Sequence, residues 1–392
     1  MRGRSCSYRI IYPNSPPCHD CIANRTTSGS DVLKLLRSST RVNDQRRRAA
    51  QSLMRLFFGK PVTQSNEPLP TTGIYKILVC HYSHTLGNAL LLTPLIQELE
   101  ATYPGATIDI VTRSQIAEAI YGRYFSVDRL FKLPSHSARH PRTLMRQWRA
   151  IRKNHYDLVI DPDPQSQTGR LLLLRAQGTY KLGFDSPKKS GNVTHAVPVA
   201  DAPTSKGKRP VFLLRAALGK PLDAPYPVPD IRLSDEERAQ GREALQRVLG
   251  DKGTGKRIIG VFANATGPKL LRKDWWTPFL EAFEAAAPEY QCVEIIPAFG
   301  RSLLDSRYPA YFSNDLRKLA SVLSALDAYT SADCGIMHLS CASRTPTLGI
   351  FNTTSAEEWG PYGGRNHIVY GYDLTPADVG RKLAGMLAAD RG

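Results

Sequence analysis

The chain has 392 residues, 42% of them apolar and 22% charged, which excludes general disorder and a fibrous protein. The length fits two domains. Its formal net charge of +17 suggests nucleic acid, a membrane surface or an anionic small molecule as partner.

The charge is unevenly placed. Residues 1–60 hold 12 Lys/Arg against 3 Asp/Glu, a net +9, so the remaining 332 residues carry only +8. The opening stretch has no apolar core of secretory-signal length, and no run approaches a membrane span. Cys6, Cys18, His19 and Cys21 resemble a fragment of a zinc site, but no second close pair follows, and they read as accidental thiols. The odd total of seven cysteines points to reduced thiols in the cytosol. Residues 31–58 have the pattern of a basic amphipathic helix, with Leu33, Leu36, Leu53 and Phe57 against Arg46, Arg47 and Arg48. That pattern suits an anionic membrane surface. A disordered tail, or a start at Met54, accounts for it as well. Residues 61–72 read as a polar linker.

From Ile74 the pattern changes to strands alternating with helices. Strands are expected at Tyr75–Cys80, Ala106–Val111 and Tyr156–Ile160. Helices are expected after Gly87, ending at Pro104-Gly105, and over Gln115–Tyr121 and Arg142–Arg152. Pro94 is expected near the first regular turn of its helix or at a kink. Residues 221–230 carry four prolines and read as the interdomain linker. Ser234 and Glu237 have capping-box spacing, opening a helix to about Leu249. Further strands are expected at Ile258–Ala263, Cys292–Pro297, Ala328–Cys334 and Pro346–Phe351, and helices at Leu316–Leu326 and Pro376–Ala389. Two doubly wound parallel sheets in series place a cleft between domains, at the C-terminal ends of the strands.

Four segments there carry chemistry. His81 to Asn88 forms a strand-to-helix turn with a single glycine, Gly87, which by itself is equally a structural βα turn. Asn264-Ala265-Thr266-Gly267, with Lys269, Arg272 and Lys273, puts a hydroxyl, a glycine and cations at a strand end, which suits a diphosphate and equally a solvated basic loop. Asp333-Cys334-Gly335 followed by His338 opens another helix, where Asp333 orders the turn or binds a hydroxyl. Trp359-Gly360-Pro361-Tyr362-Gly363 is a rigid aromatic loop or a packed surface turn. Arg139–Lys153, with Trp148, is the one stretch of the folded body that interleaves basic and aromatic residues as a nucleic-acid binder would.

Taken in order, these segments resemble glycosyltransferase family 9, the heptosyltransferases. Leu86 to Leu95 is similar to the family's G-D-x-L-x-T-x-P-L helix, and Tyr156 to Asp161 to its Y-D-x-x-I-D strand. Asp333 to Leu339 is similar to its D-T-G-x-x-H-L motif, and Phe351–Thr354 with Trp359–Gly363 to its F-G-x-T…P-Y-G ending. The resemblance covers about residues 74–390. It implies a GT-B architecture of two Rossmann-like domains: a basic extension over 1–70, an acceptor-side domain over 71–230, a donor-binding domain over 231–375 and a C-terminal helix over 376–392.

The resemblance further implies inverting transfer of a heptose or related sugar, from an ADP-linked donor to a lipopolysaccharide-core or other glycolipid acceptor. No metal or cofactor and no nucleic acid is expected, and the location implied is cytoplasmic, peripheral at the inner membrane face through the basic N-terminus. By resemblance the donor is held by Thr266, Gly267, Lys273, Asp333, Cys334, Gly335 and His338. Gly87 makes the backbone turn. The family's general base is an Asp where this chain has Asn88, and Cys334 stands where Thr is usual. A neutral amide does not take a proton at pH 7. Hence His84, His81 or Asp161 is the base, or the transition state is dissociative enough that positioning suffices, or the chain binds a nucleotide sugar without transferring it. A nucleotide-sugar epimerase shares the architecture.

Overall fold

The computed structural model describes residues 64–134, 140–187, 189, 193–253 and 255–390. The cysteine-bearing leader, the basic stretch at 31–58 and Met54 lie outside the described residues. Two parallel six-stranded sheets follow one another along the chain. The first contains β1 (Lys76–Cys80), β2 (Thr107–Thr112), β3 (Val127–Lys132), β4 (His155–Asp161), β5 (Gln177–Asp185) and β6 (His195–Pro198). The second contains β7 (Arg257–Phe262), β8 (Tyr290–Ile295), β9 (Ala310–Tyr311), β10 (Ala328–Ala332), β11 (Thr347–Phe351) and β12 (His367–Tyr370). Helices of the first half are α1 (Leu86–Leu90), α2 (Thr93–Thr102), α3 (Ala117–Tyr121), α4 (Pro141–Arg152), α5 (Gln167–Arg175) and α6 (Arg209–Leu218). Those of the second are α7 (Asp235–Leu249), α8 (Lys273–Ala286), α9 (Leu316–Leu323), α10 (Gly335–Ala342), α11 (Ala356–Trp359) and α12 (Pro376–Ala389).

The strand orders are β3-β2-β1-β4-β5-β6 and β12-β11-β10-β7-β8-β9. Each is a Rossmann order, and it reverses between β1 and β4 in one sheet and between β7 and β10 in the other. Loops leaving the C-terminal ends of those four strands therefore diverge and leave a crevice. Pro94 takes the first of its two expected places, the first regular turn. Leu91 and Leu92 separate α1 from α2, and Pro94 sits in the first turn of α2, where a missing N–H leaves no hydrogen bond unmade. The capping box forms as its spacing predicts: the Ser234 hydroxyl accepts from the Glu237 amide at 3.2 Å, and the Ser234 amide donates to Oε2 of Glu237 at 2.9 Å. The C-terminal helix α12 packs on α8, so closely that a Cβ on Gly380 would stand 2.3 Å from the carbonyl of Phe279.

The two halves meet through α1 and α10. A Cβ on Gly87 would stand 2.8 Å from the His338 ring, and one on Gly335 would stand 3.1 Å from the Leu86 Cβ. Each helix thus offers a glycine to a side chain of the other. Arg317 on α9 clasps the same junction. Its guanidinium donates to the carbonyls of Ala119, Ile231 and Arg232 and grips both oxygens of Glu237. One side chain thereby ties α3, residues 231–232 and α7.

That clasp sets an acid limit. The Arg317 hydrogen bonds hold the Glu237 carboxyl at about 2. A folded-state value below the unfolded one stabilises the fold fully above about pH 4.5, and this is lost as pH falls towards about 2. Glu237→Gln should lower stability at neutral pH by about 1–2 kcal/mol, after allowing for solvent screening, and flatten the fall between those pH values. Urea unfolding across pH measures both. An unchanged acid slope would contradict the clasp.

Candidate active site

Three strand-end loops of the second domain meet at Asp333. It follows β10, is only 5% exposed, and its Oδ2 accepts from the Thr354 hydroxyl at 2.7 Å and from Lys269 Nζ at 3.3 Å. Thr354 lies after β11 and Lys269 after β7, so one carboxylate pins both neighbouring loops. Thr353 adds a second tie, donating to the Pro268 carbonyl at 3.2 Å. Gly267 takes φ +62°, a left-handed turn that glycine adopts without strain. Thr266 and Gly267 are exposed on this loop.

Cys334 caps α10 in extended conformation, its sulfur 3.5 Å from the Ser331 hydroxyl, and burial raises its thiol pKa. Gly335 starts the helix, whose first amide groups have no partner within it. The end of a helix at an ordered cation and a left-handed glycine turn is suited to a phosphate group. His338 is 3% exposed, and burial takes its pKa down to about 4, with Asp333 opposing. It is therefore neutral at pH 7 and serves as a packing surface for Gly87. Lys273, expected on the diphosphate, is 61% exposed and pairs with Asp305. Lys269 is the cation that reaches the Asp333 cluster.

The first domain supplies the facing wall. A cleft of about 510 Å³, open to solvent, is lined by His81, Asn88, Asp163, Lys206, Arg209 and Trp359 among others. The Asn88 amide nitrogen donates to the Ser83 hydroxyl at 3.1 Å. Burial draws the His81 ring down to about 4, with Asp163 opposing, and its Nδ1 has no hydrogen-bond partner. His84 is exposed and does not line this cleft.

Asp161 is turned the other way. It is fully buried beneath the sheet end, with Arg170 Nε at 3.3 Å and Lys189 Nζ at 2.5 Å from Oδ2. A Cβ on Gly169 would stand 2.7 Å from its other oxygen. Burial raises the carboxyl pKa and the two cations oppose it. Asp161 ties β4 to α5 and to Lys189, and it is fully buried.

The aromatic loop bridges the domains rather than forming a surface turn. Lys206 pairs with Glu358 at 3.2 Å and lies over the Trp359 ring at 5.3 Å. Tyr362 packs on Gly207 and donates to the Pro227 carbonyl at 3.0 Å. Among the described residues no three His, Cys, Asp or Glu side chains are grouped as metal ligands, and no helix is long and apolar enough to cross a membrane. Sequence reasoning missed Asp163, Lys206 and Arg209 as cleft residues. Asp163 carried one readable signal, its place two residues beyond the strand end in Asp161-Pro162-Asp163-Pro164.

Residues 313–382 match the profile of glycosyltransferase family 9 (heptosyltransferase). No curated protein matches the chain in sequence. Among solved structures, a family 9 glycosyl transferase from Veillonella parvula DSM 2008 aligns with a TM-score of 0.67 at 15% identity, over 82% of this chain and 99% of that one. The E. coli heptosyltransferase WaaC with ADP gives 0.61 at 19%, over 79% and 99%. E. coli ADP-heptose lps heptosyltransferase II gives 0.58 at 18%, over 81% and 100%. At such identities the structural likeness is one of fold, and that fold is GT-B. The matched segment spans β10, Asp333 and the whole of α10. In that segment the chain is similar to glycosyltransferase family 9, and in fold it is similar to solved members of that family along most of its length.

Proposed function

We propose that the chain transfers a heptose or related sugar from an ADP-linked donor to a lipopolysaccharide-core or other glycolipid acceptor, with inversion and without a metal, at the cytoplasmic face of a membrane. The observation that carries the reading is the Asp333 cluster, which draws Lys269 and Thr354 to the start of α10. In this reading Lys269, the Thr266-Gly267 turn and the first amide groups of α10 hold the donor diphosphate. They neutralise the charge that grows on it as the bond to the sugar breaks. Lys273 and Arg272 stand further out and draw the anion in. Cys334 and Gly335 act through backbone in this reading, and a Cβ at 335 would crowd Leu86. The choice of ADP is supported by WaaC of E. coli, a fold relative solved with that nucleotide.

The facing cleft of the first domain takes the acceptor, with Lys206 and Arg209 favouring an acidic saccharide. Asn88 favours a second reading, a nucleotide-sugar binder that does not transfer. Turnover separates the two: release of ADP from ADP-heptose only when an acceptor is present supports transfer.

Lys269→Ala should weaken ADP-heptose binding roughly tenfold or more, the loss of one charge-assisted hydrogen bond. Lys273→Ala should cost less. Calorimetry checks both, and equal affinities for wild type and Lys269→Ala would overturn the donor assignment. Because His338 titrates at about 4, affinity for ADP-heptose should stay level between about pH 6 and 8. A break in that range would mean that His338 is charged at the site.

A further inference from the structure

The transferase reading leaves one chemical role empty. An acceptor hydroxyl needs a base, and the position at which the resemblance places one holds Asn88, an amide engaged with Ser83. Asp161 is fully buried between Arg170 and Lys189. His84 lies off the cleft. His81 lines it, but its Nδ1 is buried with no hydrogen-bond partner to orient the ring.

One carboxylate does face the cleft. Asp163 lies on the same wall as Asn88 and His81, at the crevice where the strand order reverses between β1 and β4. Its flanks make it rigid. Pro162 and Pro164 fix their own φ angles and hold Asp161 and Asp163 extended. Oδ1 of Asp163 accepts from the amides of Gln165 at 2.7 Å and Ser166 at 3.3 Å, and its carbonyl accepts from Lys189. Among the described residues no group donates to Oδ2. One oxygen orients the carboxylate, and the other is left to receive a proton.

We propose that Asp163 is the general base of this enzyme, an assignment that rests on the transferase reading above. Oδ2 takes the proton of the acceptor hydroxyl while that oxygen forms its bond to the anomeric carbon of the donor. The bond from that carbon to the diphosphate oxygen breaks, and its electron pair leaves with the nucleoside diphosphate. The proton passes from Asp163 to water after the product departs. The charged and titratable groups around it are His81 from the β1 turn, Asp161 and Lys189 beneath it, and Lys206 and Arg209 across the cleft.

Asp163 also holds its turn, and the test must separate the two roles. Asp163→Asn keeps an oxygen for the Gln165 and Ser166 amides and removes only the basicity. ADP release is followed from ADP-heptose with a deacylated lipopolysaccharide core, alongside ADP binding and thermal melting. Asp163→Asn should lower kcat by roughly 10² to 10⁴-fold and remove the acid limb of the kcat/KM profile, with ADP affinity and melting unchanged. Adding Asn88→Asp should restore at least tenfold by returning a carboxylate to the same cleft. If Asp163→Asn fails to fold, Asp163→Ala with added formate replaces it, and turnover regained with formate supports the base. Turnover of Asp163→Asn within threefold of wild type, an acid limb that persists in it, or no gain with formate in Asp163→Ala overturns the base alone. A wild-type chain that releases no ADP overturns the transferase reading and the base with it.

Discussion

The contact between α1 and α10 is the constraint on which the site depends. Two helices from different domains approach so closely that a Cβ on Gly87 would collide with the His338 ring and one on Gly335 would crowd Leu86. Each helix begins at a strand end, so bringing them together also brings together the two crevices of a doubly wound sheet pair. Asn88 on α1 and Asp333 just before α10 thus flank the contact between the two helices. His338 is buried to fill the gap left by Gly87, and burial keeps it neutral. Arg317 and the Tyr362 loop secure the same arrangement from either side.

The placement of charge follows from this geometry. Inside the described chain, the buried and half-buried cations named above have acidic partners. Lys189 and Arg170 neutralise Asp161, Arg317 neutralises Glu237, and Lys269 shares Asp333 with a threonine. Burying an ion is costly unless it is paired, so most of these cations are structural. Lys206 and Arg209 line the first-domain cleft, and Lys269 reaches Asp333. The strong positive charge of the sequence therefore says less about the site than the few cations that the strand ends carry.

Much of the frame was legible in the sequence because it is written in local patterns. The buried strands β1, β4, β7 and β11 are apolar runs, Ser234 and Glu237 announce a helix, and the four prolines at 221–230 fall between α6 and α7. Less legible were β3, β5 and β6, where Arg129, Lys181 and His195 interrupt the apolar pattern and the strands are partly exposed. The site was legible in its motifs and not in its pairings. Two carboxylates stand two residues apart in Asp161-Pro162-Asp163, and only the positions of Arg170 and Lys189 decide which is sealed and which faces the cleft. Lys269 and Lys273 are likewise equivalent as letters. The choice between them is made by Asp333, more than sixty residues away in sequence and 3.3 Å away in space.

The most direct measurement is a crystal structure of the chain with ADP-heptose bound. The diphosphate should lie against Lys269 and the first amide groups of α10, with the sugar directed across the cleft towards Asn88 and Asp163. A diphosphate seated elsewhere, or a sugar turned away from the first domain, would contradict a site built on the Asp333 cluster.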